Sequence, residues 1–268
     1  LNDAFRVERL IQRAVSPNTL NVAEGKSALM IAAENDCYET MQVLLDHGAS
    51  VTQTDKFDNI ALHYAALAGH FNAVALLLDH HSPLNVVNSS QCTPLMSAAK
   101  AGHAAIIRLL LNNDAEMTWE LNDNNESALT LAASTGCPET VELILKSVPR
   151  NSRCVGALNV ALRQAVKSDS KAAVQMLINH GADVNHSDED NSEVIFEAVK
   201  RGCARMARCL KANGAQIDVF DKEGYTPLMR ATKANDVEMV VTLIALGTDL
   251  GLRYLLAILC VHFKYLET

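Results

Sequence analysis

Three groups of residues in this chain have types and spacings that could do chemistry. Gly25-Lys26-Ser27 has the composition of the end of a phosphate-cradling loop, where backbone amides and a lysine hold phosphate oxygens. Such a loop needs another Gly five residues earlier. Leu20 stands there, so nucleotide binding is not expected. Cys37, His70, His103, Cys137 and Cys203 are of zinc-ligand type, and Asp188, Glu189, Asp190 and Glu193 form an acidic run. No HExxH pair, Ser/His/Asp arrangement or pair of carboxylates in an apolar cleft can be argued from spacing. No catalytic residue, cofactor-binding residue or metal ligand is therefore assigned, and the chain reads as a non-enzyme.

The spacing of these residues has another origin. The stretch Gly25-Lys26-Ser27-Ala28-Leu29-Met30-Ile31-Ala32-Ala33 returns from Asn59 to Ala66 and again from Cys92 to Ala99. The equivalent residues Ser27, Ile60, Thr93, Ser127, Val160, Glu193 and Thr226 lie 33, 33, 34, 33, 33 and 33 positions apart. Self-similarity at a fixed period marks a stacked repeat array. In register, the five Cys and His residues fall at one turn of successive units. Stacked units sit about 10 Å apart, a helix diameter, whereas zinc needs bonds of about 2.0–2.3 Å. The Gly-Lys-Ser tripeptide is likewise a repeat position, and solvated loop charge accounts for the acidic run.

Composition agrees with an array. Hydrophobic residues make up 49% but aromatics only 4%, so the core must be built from Ala, Leu, Val, Ile and Met. The net charge of −8 argues against general nucleic-acid binding. Seven Cys without a CxxC pair suit a reducing compartment, cytoplasmic or nuclear. The sequons at Asn88, Asn125 and Asn185 are read as chance matches. The chain begins with Leu1, which leaves open a longer parent protein and a lost targeting segment.

Each unit reads as two short helices and an extended connection. Thr93 and Thr226 are expected N-caps, with Pro94 and Pro227 at the first helical position. Gly69, Gly102, Gly136 and Gly202 mark the turn between helices, and Gly48, Gly181, Gly214 and Gly247 the end of the second. His81, Asp114 and Val148 replace that last Gly in three units. Val148, β-branched and followed by Pro149, predicts a reshaped and flexible seam over 148–157. The next unit lacks the Thr-Pro-Leu element, having Val160-Ala161-Leu162 instead.

Gly224-Tyr225-Thr226-Pro227-Leu228-Met229 and His180-Gly181-Ala182-Asp183-Val184-Asn185 resemble the hallmark elements of ankyrin repeats. The resemblance implies an all-α solenoid of about seven helix–turn–helix units with hairpin-like connecting loops. It also implies a concave face formed by the loops and first helices, and makes His70 and His103 the His of a Gly-His turn, bonded to neighbouring loops. We divide the chain into an N-terminal capping half-repeat (1–24), in which Val7, Leu10 and Ile11 align with a second helix, seven repeats (25–250), and an irregular apolar C-terminal tail or cap (251–268). Residues 254–263 are too few to span a bilayer.

The function implied by the resemblance is a non-catalytic scaffold or adaptor binding a protein or peptide partner, with no nucleic acid and no membrane. A regulatory or targeting module cut from a larger enzyme or signalling protein is the alternative. An enzyme in its own right would need a metal or nucleotide site that the sequence does not offer. Contacts are expected from loop tips and exposed first-helix positions, among them Ile31, Leu131 and Glu197. Partner-binding candidates are Phe57, Tyr64 and Leu67 in the N-terminal half, then Lys100, Lys167, Lys200, Arg201, Arg230 and Lys233. Two readings stand side by side: a partner apolar toward one end and acidic toward the other, or ordinary packing and solvated charge. Asn185, with Asp183 before it and Leu177 eight residues upstream, also resembles the site of an iron- and oxoglutarate-dependent asparaginyl hydroxylase. Asn85 is a weaker match because Pro83 lacks the acid. The opposing reading is that Asn at this loop position has structural value.

Overall fold

A computed structural model of the chain describes residues 4–113, 121–147, 155–188 and 192–249. Among these, the backbone forms α1 (Ala4–Gln12), then α2 (Ala28–Glu34) with α3 (Tyr38–Asp46), and α4 (Ala61–Ala68) with α5 (Phe71–Asp79). Next come α6 (Pro94–Ala101) with α7 (Ala104–Asn112), and α8 (Ala128–Ser134) with α9 (Pro138–Ser147). The later pairs are α10 (Val155–Lys167) with α11 (Lys171–Asn179), α12 (Val194–Lys200) with α13 (Ala204–Ala212), and α14 (Pro227–Lys233) with α15 (Val237–Ala245). The chain divides into two compact units, Leu1–Arg150 and Asn151–Thr268.

Within each unit, first helices stack on first helices: α4 lies between α2 and α6, α8 follows α6, and α12 lies between α10 and α14. The contact is close because Ala65, Ala66, Ala98, Ala99, Ala132 and Ala133 have no exposed surface. The second helices supply larger side chains at one register position. Leu44, Leu77, Leu110, Ile144, Leu177, Leu210 and Leu243 are all fully buried. Burying such a side chain contributes about 1.5–3 kcal/mol, so this column is a main source of cohesion between repeats.

Helix starts are fixed by side chains. Thr93 and Thr226 accept hydrogen bonds from the N–H groups of Met96 and Met229, with Pro94 and Pro227 following as expected. Ser27 and Ser127 do the same for Met30 and Thr130. The turn between helices is left-handed at Asp36, Gly69, Gly102, Gly136, Asp169, Gly202 and Asn235. Only Gly, Asp and Asn occur at this position, the residues that tolerate such a backbone best. At Gly69 a second constraint applies: a Cβ would lie 2.6 Å from the His103 ring.

The unit expected to deviate does so. Val155 and Val160 stand where other units place a turn-forming Asp or Asn and a capping residue. With neither present, nothing turns the chain out of the helical conformation, and α10 runs for 13 residues with Val160 inside it. The expectations for Asp114, for the seam at 148–154 and for the tail at 251–268 concern positions outside the described residues. Ahead of the first pair, α1 lies against α3, with Leu10 exposed and Val7 and Ile11 half-buried.

Candidate functional site

The connecting loops are built on one recurring device. Five residues before the capping position, the carboxylate of Asp55 accepts hydrogen bonds from the N–H groups of Phe57 and Asn59. The Asn88 side chain does this for Ser90 and Cys92, Asn122 for Asn124 and Glu126, and Asp221 for Glu223 and Tyr225. Successive loops are then joined through their backbones. The N–H of Lys56 donates to the Glu24 carbonyl, that of Ser89 to Phe57, and that of Asp123 to Ser90.

Two exposed-face candidates are tied to these loops. The Tyr64 hydroxyl donates to the Asp55 carboxylate, and the Lys26 ammonium lies 4.3 Å from the Tyr64 ring centroid. Burial and the bond to Asp55 push the Tyr64 phenol up to about 12. Burial would raise Asp55, but donation from Tyr64, Asn59 and Phe57 holds it below the ordinary carboxylate value. Arg230 repeats the arrangement, its Nε donating to Asp221 at 2.6 Å while its guanidinium meets Glu223 at 3.2 Å and covers the Tyr225 ring at 4.4 Å.

The chemically suggestive residues have structural partners. Gly25 is left-handed, and Ser27 caps α2. Lys26 meets Glu34 at 2.9 Å and Glu24 at 3.2 Å. Burial would lower the Lys26 pKa, but these two carboxylates outweigh it and hold the ammonium above its usual value. In the Cys and His series, Nε2 of His70 donates to the Glu34 carbonyl, and that of His103 to Leu67, both at 3.1 Å. These are carbonyls of the preceding first helix, so the two His sit at the expected turn but bond to the end of a neighbouring helix rather than to a loop. Cys203 donates to Asp169, which also pairs with Arg205 at 2.9 Å. Among the described residues no group of three His, Cys, Asp or Glu side chains could hold a metal ion. Asp188 of the acidic run pairs with Arg163 at 3.3 Å.

The remaining candidates differ in accessibility. Phe57 is 57% and Leu67 48% exposed. Lys100, Lys200, Arg201 and Lys233 are exposed, while Lys167, Tyr64, Arg230 and Glu197 are half-buried. Ile31 is exposed, but Leu131, expected on the same face, is buried at 3%. One register position stands out: Lys100, Lys167, Lys200 and Lys233 are equivalent, and Leu67 precedes them in the same column. Phe57, Tyr64, Leu67 and Lys100 belong to the first unit, and Lys167, Lys200, Arg201, Arg230 and Lys233 to the second.

Asn185 is half-buried and fully engaged. Its side-chain N–H donates to the Gly214 carbonyl at 3.1 Å, and its oxygen accepts from the Gln216 N–H at 2.8 Å. Asn18 makes the corresponding pair of bonds to Gly48 and Ser50. Sequence reasoning missed His63, which is almost completely buried. Its Nδ1 accepts from the Ile60 N–H, so Nε2 carries the proton donated to the Cys92 carbonyl at 3.0 Å in the next loop. Burial depresses its pKa, which keeps the ring neutral. The recurrence of Asp or Asn five residues before Ile60, Thr93, Ser127, Glu193 and Thr226 was a readable signal for the loop device. Nothing in the sequence marks His63 as a bridge.

Repeated pairs of short helices with capped starts, left-handed turns and loops bonded in series define a stacked helical-repeat protein. The chain matches the family model for ankyrin repeats (3 copies) over residues 2–88, 62–154 and 162–254, and it belongs to the ankyrin-repeat family. It is 26% identical over 220 residues to the transient receptor potential cation channel subfamily A member 1 homolog of Caenorhabditis elegans, covering 81% of this chain and 15% of that protein. It is 30% identical over 115 residues to the B-cell lymphoma 3 protein homolog of Mus musculus, covering 42% of this chain and 26% of that one. The chain thus spans only a minor part of either relative. The ankyrin repeat domain of human ASB11 superposes with a TM-score of 0.74 at 23% identity, covering 84% of this chain and 99% of that one, which shows the shared fold. Ankyrin repeats generally mediate protein–protein interaction, and the fold is generally non-catalytic. Among the described residues no helix is long and apolar enough to cross a membrane.

Proposed function

We propose that this chain is a non-catalytic scaffold or adaptor that recognises a protein partner through exposed first-helix positions and loop tips. The supporting observation is the column Leu67, Lys100, Lys167, Lys200, Lys233. It presents an apolar residue in the first unit and cations in both, and none of these lysines ends in an ion pair among the described residues. Apolar partner residues suit Leu67 and Phe57 of the first unit, and acidic ones suit Lys200 and Arg201 of the second. Tyr64 and Arg230 have a different part in the proposal, since their polar groups are already engaged: they shape the surface rather than supply free anchors. The cap at 1–24, the repeats over 25–250 and the tail at 251–268 belong to the same proposal.

Affinity purification of the full chain, compared with Leu67→Asp and with Lys200→Glu combined with Arg201→Glu, tests it. A partner recovered by the wild type should be lost from both variants at unchanged helicity. Equal recovery by all three forms would falsify the reading. A second proposal is hydroxylation of Asn185, which requires the bonds to Gly214 and Gln216 to open first. A tryptic peptide without the mass of one added oxygen after treatment with active hydroxylase would remove it.

A further inference from the structure

The second unit contains a cleft of about 520 Å³ between α12, α14 and the loop at 221–225. Phe196 and Val199, both buried, and Ala234 form its apolar lining. Four cations, Lys200, Lys222, Arg230 and Lys233, face two carboxylates, Asp221 and Glu223. The carboxylates are already bound to Arg230, which is also stacked on Tyr225. Arg230 is therefore a fixed wall, and its charge is neutralised locally. Lys200 has no carboxylate partner among the described residues, and Lys233 has only the Tyr225 ring, 4.7 Å away. The lining thus offers positive charge that no carboxylate among the described residues balances, directly beside apolar surface.

We propose that this cleft binds an acidic peptide segment, one carboxylate side chain set between Lys200 and Lys233 and a neighbouring apolar side chain resting on Phe196 and Val199. The proposal rests on the protein-recognition reading and specifies its partner. Charge complementarity selects the occupant, because an anion here meets two ammonium groups that no described carboxylate pairs. The volume falls within the range of about 300–1,000 Å³ typical of ligand clefts, enough for a few side chains. The net charge of −8 on the whole chain works against an extended polyanion, so a short acidic stretch suits the site better.

The test uses the full chain and a fluorescein-labelled peptide, Glu-Asp-Leu-Glu-Asp-Phe, read by fluorescence anisotropy. Saturable binding is expected, weakened about tenfold by Lys200→Glu with Lys233→Glu and unchanged by Lys171→Glu, an exposed residue of α11 outside the cleft. Binding should fall when Gly replaces Leu and Phe, and vanish when Lys replaces the acids. No saturable binding by the wild type, equal binding by the double variant, or equal binding of either altered peptide overturns the proposal. If the peptide fails while Leu67→Asp still abolishes partner recovery, the cleft assignment falls and the broader reading stands. If partner recovery ignores every surface variant, the broader reading falls instead.

Discussion

Tyr64 in the first unit and Arg230 in the second occupy the same place in their repeats and do the same job with different chemistry. Each reaches back nine residues to the Asp that shapes its own loop, Asp55 or Asp221. Each also takes part in a cation–aromatic contact, Lys26 on Tyr64 in one case and Arg230 on Tyr225 in the other. The helix is thereby clipped to the loop that precedes it. In the first unit the clip is a phenol bonded to a carboxylate; in the second it is an ion pair at the edge of a cleft. At the equivalent place in α12 stands Glu197, of like charge to the loop residue Asp188, and Asp188 pairs with Arg163. A position that looks from sequence like a partner anchor is thus first a fastener of the repeat.

The largest expected effect comes from removing the acceptor. Asp55→Ala leaves the Phe57 and Asn59 amides and the Tyr64 hydroxyl without their partner, and a buried group left unpaired costs about 1–3 kcal/mol. We expect a loss of about 3 kcal/mol in urea unfolding, and about 2 kcal/mol for Asp221→Ala, whose loop is more exposed. The reverse order would break the comparison. Next are the clips themselves. Tyr64→Phe should cost about 1.5 kcal/mol and Arg230→Met about 1 kcal/mol. Salt separates them: at about 1 M, where screening acts within about 3 Å, the cost of Arg230→Met should shrink and that of Tyr64→Phe should not.

The Tyr64 clip also has a pH signature. Its phenol is raised from 10.0 to about 12 in the fold, so its contribution is complete below pH 10.0 and is lost as pH rises toward 12. Ultraviolet titration should show the ionisation of one tyrosine near that upper value lost on going from the wild type to Tyr64→Phe. The smallest effect is a gain. Glu193 stands where Ser127 and Thr226 cap their helices, yet it makes no cap, and one of its carboxylate oxygens is buried without a partner. Glu193→Thr should restore the cap and stabilise the chain by about 1 kcal/mol. A loss in thermal or urea unfolding would show that α12 has no need of one.

The architecture was legible in the sequence because a period of 33 residues, a Thr-Pro start and a left-handed turn position are local features that repeat. The caps at Thr93 and Thr226 and the roles of His70 and His103 follow from that register. The early start of α10 was only half legible: Val148 drew attention to the seam, whereas Val155 and Val160 in place of a turn former and a cap explain the longer helix. The clips were hidden, because an Asp and a Tyr nine residues apart face each other only after a loop has folded back on its helix. Leu131 likewise reads as exposed from register alone, and burial depends on neighbours that the register does not contain.

In the first unit the backbone bonds between loop tips run in one direction, although the His63 side chain donates the other way. At the loop tips a later repeat donates its N–H to an earlier carbonyl, from Lys56 to Glu24, Ser89 to Phe57 and Asp123 to Ser90, and His70 and His103 donate backward in the same sense. Each finished repeat therefore presents acceptors already in place for the repeat that follows. A chain emerging from the ribosome would meet that template in the order of its synthesis, so growth can proceed one repeat at a time, in the sense in which the message is read.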